Sequence, residues 1–380
     1  MTDVPHSSIH PQLPPTTEED RFLWLRLLRS RRVGPTTFFR LLNEHGSIAE
    51  AFATLPEVAA QAGVEDYEPC SEEIAAAEFI AAQKFGAEPL FHGGPSYPKD
   101  LYDLPDAPPL LWSKGDTSLL TRSKIALVGS RNASSLGTRM ARGLADELGS
   151  NDHVIVSGLA RGIDTAAHLA ALKTGTIAVF PAGIDVIYPV ENTELARQIQ
   201  AQGLILSEQP MGLHPRARHF PIRNRIISGL SQAVVVVEAA AKSGSLITAR
   251  NALDQGRDVL AVPGHPIETR ASGCNLLIRD GATLVRSASD VIEALAPIAP
   301  APKQAEFRLE ATQPAAEPAS LRDTTDLHRQ IIDRVSQAPV AEDRLIRDLN
   351  SPTHIATSAV VDLELAGQIA RTESGLLRRN

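Results

Sequence analysis

The chain has 380 residues, too many for one ordinary core, so two or three domains are expected. Hydrophobic residues make up 43% and charged residues 22%, which excludes a disordered or fibrous chain. A net charge of -8 excludes indiscriminate adhesion to polyanions, yet leaves room for a local basic patch that meets phosphate.

Residues 1–17 carry no apolar signal core and read as a disordered lead. No apolar run approaches the roughly 20 residues of a membrane helix. Cys70 and Cys274 stand far apart in no metal-ligand spacing. The expectation is a cytoplasmic protein without disulfides, metal or membrane contact.

Residues 18–88 predict a small helical domain. Thr17 and Asp20 have capping-box spacing ahead of FLWLRLLRS, Gly34-Pro35 restarts a helix, and Ala-rich segments follow at 47–62 and 71–85. Short helices with such joins suit a SAM or helix-hairpin-helix module that touches DNA backbone, and equally suit a plain packing domain. A Pro-rich connector, PSYPKDLYDLPDAPPLLW, leads onward.

Within residues 89–296 short apolar runs alternate with amphipathic segments. The runs read IALVG, VIVSG, TIAVF, LILSE, AVVVVEA, VLAVPG and ATLVR. Strands apolar on both faces suit a sheet covered by helices on both sides. The fold class is therefore α/β, a Rossmann-like doubly wound and mostly parallel sheet. Residues 297–321 are rich in Ala, Pro, Gln and Glu and predict a flexible linker. Three helical segments and a short strand pair in residues 322–380 predict a winged-helix domain.

Ligands of such sheets bind beyond the carboxyl ends of the strands, and four loops there favour anions. After IALVG, Gly129-Ser130-Arg131-Asn132 offers small residues and one charged fork. After VIVSG come Arg161 and Gly162, with Asp164 placed to cap the next helix. Residues 209–237 contain no acid but carry Arg216, Arg218, Arg223 and Arg225 around His214, His219, Phe220 and Asn224. Cations for a backbone beside an aromatic for a base face is what single-strand grooves use. Lys242-Ser243-Gly244 opens a further helix. The candidate DNA contacts are Gly129, Ser130, Arg131, Arg161, Gly162, Arg218, Phe220, Arg223, Asn224, Arg225, Lys242, Ser243 and Gly244.

Catalytic signals are missing. No Gly-Lys dipeptide, H-E-x-x-H or G-x-S-x-G occurs, and no Gly-x-Gly-x-x-Gly follows the first strand. Asp164, Glu208 and Glu238 read as capping groups or partners of the arginines. No catalytic residue, metal or cofactor is expected.

The runs VGSRNASSLG, SGLARGIDTAAHLAAL, GIDVIYPVEN, LSEQP, FPIRNRIISGLSQAVVVVEA, SGSLITA, VLAVPG and GCNLLIRDGA follow one another from Ile125 to about Leu295. In this order they resemble the DprA/Smf family. The resemblance implies an extended Rossmann fold that binds single-stranded DNA, forms homodimers and loads RecA recombinase onto incoming strands in natural transformation, against single-strand binding protein. It places the backbone contacts on Ser130, Arg131, Arg161, Phe220, Arg223, Arg225, Lys242 and Ser243. Phe180-Pro181-Ala182-Gly183 departs from the family's glycine-rich turn. The segment 354–367 has no lysine or arginine and carries Asp362 and Glu364, which points the terminal domain toward protein contact or regulation. Two other readings compete: a nucleotide-processing enzyme, whose Pro-Gly-Gly-x-Gly-Thr loop shrinks here to Pro181-Ala182-Gly183, and a duplex reader acting through the winged helix.

Overall fold

A computed structural model describes residues 14–296, 321–349, 351–372 and 375–380. The expected linker, apart from its last residue, and residues 1–13 of the lead lie outside them. The chain divides into two compact units, the second starting at Ile298.

Five helices open the first unit: α1 (Glu18–Arg29), α2 (Pro35–His45), α3 (Ile48–Ala53), α4 (Leu55–Gln61) and α5 (Glu72–Phe85). The Thr17 hydroxyl accepts the Asp20 amide at 3.0 Å and the Asp20 carboxylate accepts the Thr17 amide at 3.4 Å, which completes the expected capping box. Left-handed Gly46 and Gly86 close α2 and α5.

The sheet follows, with β1 (Glu88–Phe91), β2 (Leu110–Gly115), β3 (Lys124–Gly129), α6 (Ser135–Ser150), β4 (Val154–Ser157) and α7 (Ile163–Ala171). It continues through β5 (Thr176–Val179), α8 (Thr193–Gln202), β6 (Leu204–Ser207), α9 (His219–Leu230), β7 (Ala233–Glu238) and α10 (Ser245–Asp254). It ends with β8 (Asp258–Ala261), α11 (Ser272–Arg279), β9 (Thr283–Leu284) and α12 (Ala288–Leu295). The strand order is β1-β2-β6-β5-β4-β3-β7-β8-β9. The seven strands from β6 to β9 run parallel, as expected. β1 and β2 add an antiparallel edge that the sequence reading missed. The proline-rich run hid it: β2 begins only at Leu110, right after Pro108-Pro109.

Alternation along each strand sorts the core into two layers. Ile125, Leu127, Ile155 and Val235 pack on one face with α6, α7 and α12. Ala126, Val128, Val156 and Val234 pack on the other, in a core continuous with Trp24, Phe38 and Phe39 of the N-terminal helices. Those helices are therefore pinned to the sheet. Trp24 Nε1 donates to the Pro109 carbonyl at 3.0 Å, and Trp112 Nε1 donates to Glu78 at 2.9 Å. Buried Glu78 also takes a forked contact from part-buried Arg29, whose Nη1 reaches the Glu208 carbonyl at 3.4 Å.

The second unit holds α13 (Leu321–Gln337), α14 (Glu342–Asp348), α15 (Thr353–Leu365) and the strands β10 (Ile369–Arg371) and β11 (Leu377–Arg379), which pair antiparallel. Leu327, Ile331, Leu345, Val360 and Leu377 form its separate core. This is a winged-helix arrangement. Arg371 is shared between Glu342 and Glu364, each at 2.8 Å. Among the described residues no helix is long and apolar enough to cross a membrane.

Truncating buried Glu78 takes the carboxylate from the part-buried Arg29 guanidinium and from buried Trp112 Nε1, whereas Glu72, which pairs with Arg26 at the surface, is solvated. Glu78→Ala is expected to lower unfolding stability by about 3–5 kcal/mol. Glu72→Ala is expected to leave the urea midpoint near wild type. Equal midpoints for the two variants contradict the buried role of Glu78.

Candidate nucleic-acid interface

From β3 the chain steps outward through β4, β5 and β6, then α9 carries it back so that β7 lies against the free side of β3. The connections leaving β3 and β7 diverge to opposite faces, and a crevice opens between their carboxyl ends. A cavity of about 530 Å3 lies there. Four segments wall it: Gly129–Asn132 after β3, Ala160 and Asp164 around the start of α7, Phe220, Arg223 and Asn224 of α9, and Lys242–Ser245 after β7.

Each wall has a local cause. At the end of β3 the ladder to β7 shifts register between Val128 and Gly129, and the Ser130 amide donates to the Glu238 carbonyl at 2.6 Å. That shift turns Ser130 and Arg131 over the crevice. Ser134 caps α6 by accepting the Gly137 amide at 2.9 Å, and its own amide donates to the Glu238 carboxylate at 2.8 Å. Glu238 is thereby spent on the helix start, as the sequence reading expected.

The second loop is inverted relative to expectation. Asp164 does not cap its helix: it sits in the first turn of α7, and its Oδ2 accepts the amides of Gly158 at 3.1 Å and Ala160 at 3.3 Å. Leu159 adopts φ +55, a left-handed conformation that costs a leucine about 1–3 kcal/mol. Its amide donates to His168 Nε2 at 3.3 Å and its carbonyl accepts Asn192 Nδ2 at 2.9 Å. The Thr176 hydroxyl gives its proton to the Ile155 carbonyl, so His168 Nδ1, 2.7 Å away, is the donor to Thr176 Oγ1. His168 is thus neutral with its proton on Nδ1, and burial, reinforced by Arg223, holds its pKa down at about 3. These amides are committed inward, so the loop offers no backbone anion seat at 158–160. Gly162, at φ +80, packs against the Ser130 carbonyl and joins the two loops; it does not line the cavity. Arg161 projects into solvent and pairs with Glu191 at 3.7 Å.

The basic run is helical where a loop was expected. α9 begins at His219, and Pro221 is tolerated because a first-turn residue has no intrahelical bond to donate. Helical spacing then divides the run. Phe220, Arg223, Asn224 and Ile227 share one face (i, i+3, i+4, i+7) and line the cavity. Arg225 points the other way. It is buried between Asp106 at 2.9 Å and Glu208 at 2.6 Å and lines a separate recess with Pro35 and Thr36 of α2. Its expected phosphate contact is therefore replaced by two carboxylates. Arg218 stands exposed at the N-cap of α9, outside the cavity lining.

Arg223 is buried with its Nη1 donating to the Val179 carbonyl. Only glycine at 158 leaves room for that guanidinium. Burial lowers its pKa to about 10, with Asp164 opposing the shift and Arg131 adding to it. Burial likewise raises the Asp164 carboxyl, against the pull of Arg223 and the two loop amides. Arg131 is exposed and lies over the Phe220 ring, 4.8 Å from its centroid. The ring face expected for a base is thus partly covered by a cation. Lys242 is exposed at the opposite wall, and Asn224 Nδ2 reaches the Gly244 carbonyl at 3.5 Å. The sequence reading missed the wall residues Ala160, Ile227, Ala240 and Thr248. The helical phase set by Phe220 and Arg223 would have found Ile227.

His168 makes the loop sensitive to acid. Its folded pKa lies below its ordinary value of 6.5, so the unfolded chain binds more protons between about 3 and 6.5 and stability falls as pH drops through that window. Going from pH 7 to pH 5 is expected to remove about 2 kcal/mol through this group alone. His168→Gln, less stable at pH 7, should lose correspondingly less over the same interval in urea unfolding. Parallel losses for the two proteins contradict this assignment.

Comparison with known proteins places this geometry. Residues 88–296 match the family described as DNA recombination-mediator protein A, residues 18–81 a DprA-like N-terminal HHH domain, and residues 314–375 a DprA winged helix domain. The DNA processing protein DprA of Streptococcus pneumoniae is 50% identical over 52% of this chain and 70% of its own. Protein Smf of Escherichia coli K12 is 38% identical over 74% of this chain and 75% of its own. The X-ray structure of the S. pneumoniae DprA superposes with a TM-score of 0.62 at 38% identity, covering 70% of this chain and 95% of that one. DNA processing protein A of Helicobacter pylori, solved for its single-stranded DNA binding mode, gives 0.51 at 34% identity, covering 55% and 95%. With the sheet, both flanking domains and half the chain's length in agreement, the chain belongs to the DNA recombination-mediator protein A family.

Proposed function

We propose that this protein binds single-stranded DNA in the cavity between β3 and β7 and delivers it to a RecA recombinase, without making or breaking a covalent bond. The observation that carries the reading is the convergence of Ser130, Arg131, Phe220, Asn224 and Lys242 on one crevice of an otherwise acidic chain. Exposed Arg131 and Lys242 supply the charge for a phosphate backbone, and Ser130, Ser243 and Asn224 supply polar contacts. Buried Arg223 adds positive potential from below without reaching out. The relative from H. pylori is described as binding single-stranded DNA, which supports the same ligand here.

A binding role without chemistry agrees with how the acids are used. Asp164 lines the cavity but its Oδ2 is engaged by two loop amides, and Glu238 is engaged by a helix start, so each acid has a structural task. Recombinase loading is supported by the family's description as a recombination mediator. Homodimer formation, a meeting with single-strand binding protein and action in the cytoplasm belong to the same proposal through the family resemblance alone. The terminal unit suits protein contact more than duplex reading. Its α15 has no lysine or arginine, and its Glu364 is held on Arg371.

Fluorescence anisotropy with single-stranded and duplex oligonucleotides across a salt series tests the reading. Wild type is expected to prefer the single strand. Arg131→Ala and Lys242→Ala should each weaken binding by at least roughly tenfold. Each should also lower the slope of log affinity against log salt by about 0.7 per lost phosphate contact. Wild-type affinity in both variants would overturn the assignment of the groove, and equal affinity for duplex would overturn the ligand.

A further inference from the structure

Beside the main cavity a shallow cleft continues over Arg131, Ala160 and Phe220, which line both, to Tyr188 and Arg161. Tyr188 is unlike the other aromatic groups around the sheet. Trp24, Phe38, Phe39, Tyr97 and Trp112 are buried, whereas Tyr188 is 40% exposed. Its ring meets Phe220 edge-to-face with centroids 5.6 Å apart at 68°, and Phe220 in turn carries Arg131 at 4.8 Å. The three groups form a ladder that leaves the cavity, with Tyr188 as its outer rung.

The chemistry of this end differs from that of the cavity. Arg161 is already paired with Glu191, so the two charges cancel locally. A phosphate gains little there, and the nearby carboxylate repels it. What remains on offer is ring surface. The ring is braced by part-buried Phe220 and needs little ordering on contact. Base–aromatic stacking is favourable for every base, because each has a π-face.

We infer that Tyr188 is a base-stacking platform for the nucleotide that leaves the cavity, a subsite that recognises a nucleobase rather than backbone charge. The inference rests on the proposed single-strand function. Its ligand class is the unpaired base of a DNA strand, read without sequence preference.

The test uses the full chain, an oligothymidine, and a strand of equal length made of abasic deoxyribose phosphates. Tyr188→Ala is expected to weaken oligothymidine binding by about tenfold. The salt slope should stay that of wild type, and affinity for the abasic strand should hold. Tyr188→Trp should restore oligothymidine affinity, and its new indole fluorescence should quench on oligothymidine but not on the abasic strand. Wild-type affinity of Tyr188→Ala for oligothymidine, alongside a loss in Arg131→Ala, overturns the subsite and leaves the groove intact. Equal losses on both strands also overturn it, because the residue then supports the fold or the backbone track. Failure of wild type to bind either strand overturns the functional reading and the subsite together.

Discussion

A parallel sheet covered by helices on both faces must reverse its winding direction once if both flanks are to grow from a central strand. Here the reversal falls between β3 and β7, where the chain returns through α9 after building β4, β5 and β6. The loops on either side of that seam diverge, and nothing in the fold itself fills the space between them. The cavity, its polar walls and its position relative to α9 all follow from this one topological step. The sequence need only place small and cationic residues at those two strand ends, and it does so at Gly129–Arg131 and Lys242–Gly244.

Beneath the seam lies a second constraint, the cost of burying polar groups. Arg223 and Arg225 are both buried two residues apart on one helix, and each is handled differently. Arg225 is offset by Asp106 and Glu208, and Glu208 is tied to the N-terminal helices through the Arg29 contact to its carbonyl. Arg223 faces Asp164 and a backbone carbonyl at the floor of the cavity. The same Asp164, with neutral His168 and Asn192, holds a left-handed leucine in the loop above. Floor and wall are thus one network. A change in any member moves the surface that a ligand would meet, even though none of these groups except Asp164 and Arg223 lines the cavity.

Much of this was legible before any coordinates. Short apolar runs such as IALVG and the β-branched AVVVVEA, bounded by small residues, read as strands buried on both faces, and their spacing leaves room for one helix each, so the doubly wound sheet followed. The antiparallel edge was not legible: β1 has four residues, and β2 starts behind a proline pair in a segment that reads as a connector. At the site, composition identified the cations but not their directions. Arg223 and Arg225 look equivalent in a string of letters, and only the helical phase of α9 separates a cavity residue from a buried ion pair. Asp164 resembled a helix cap because it precedes an Ala-rich helix. Its true partners lie behind it, since the loop turns back through a left-handed residue that sequence pattern does not announce. Tyr188 drew no attention because a lone tyrosine before a proline carries no signal until its neighbours are known.

The central claim is that the seam between β3 and β7 holds the single strand. Photocrosslinking of a strand carrying 4-thiothymidine, followed by mass spectrometry of the peptides, tests it most directly. The account predicts adducts on the segments 129–132, 219–224 and 242–245, competed away by unlabelled single strand. Adducts confined to the terminal unit beyond residue 321, or spread over the surface without competition, would contradict it.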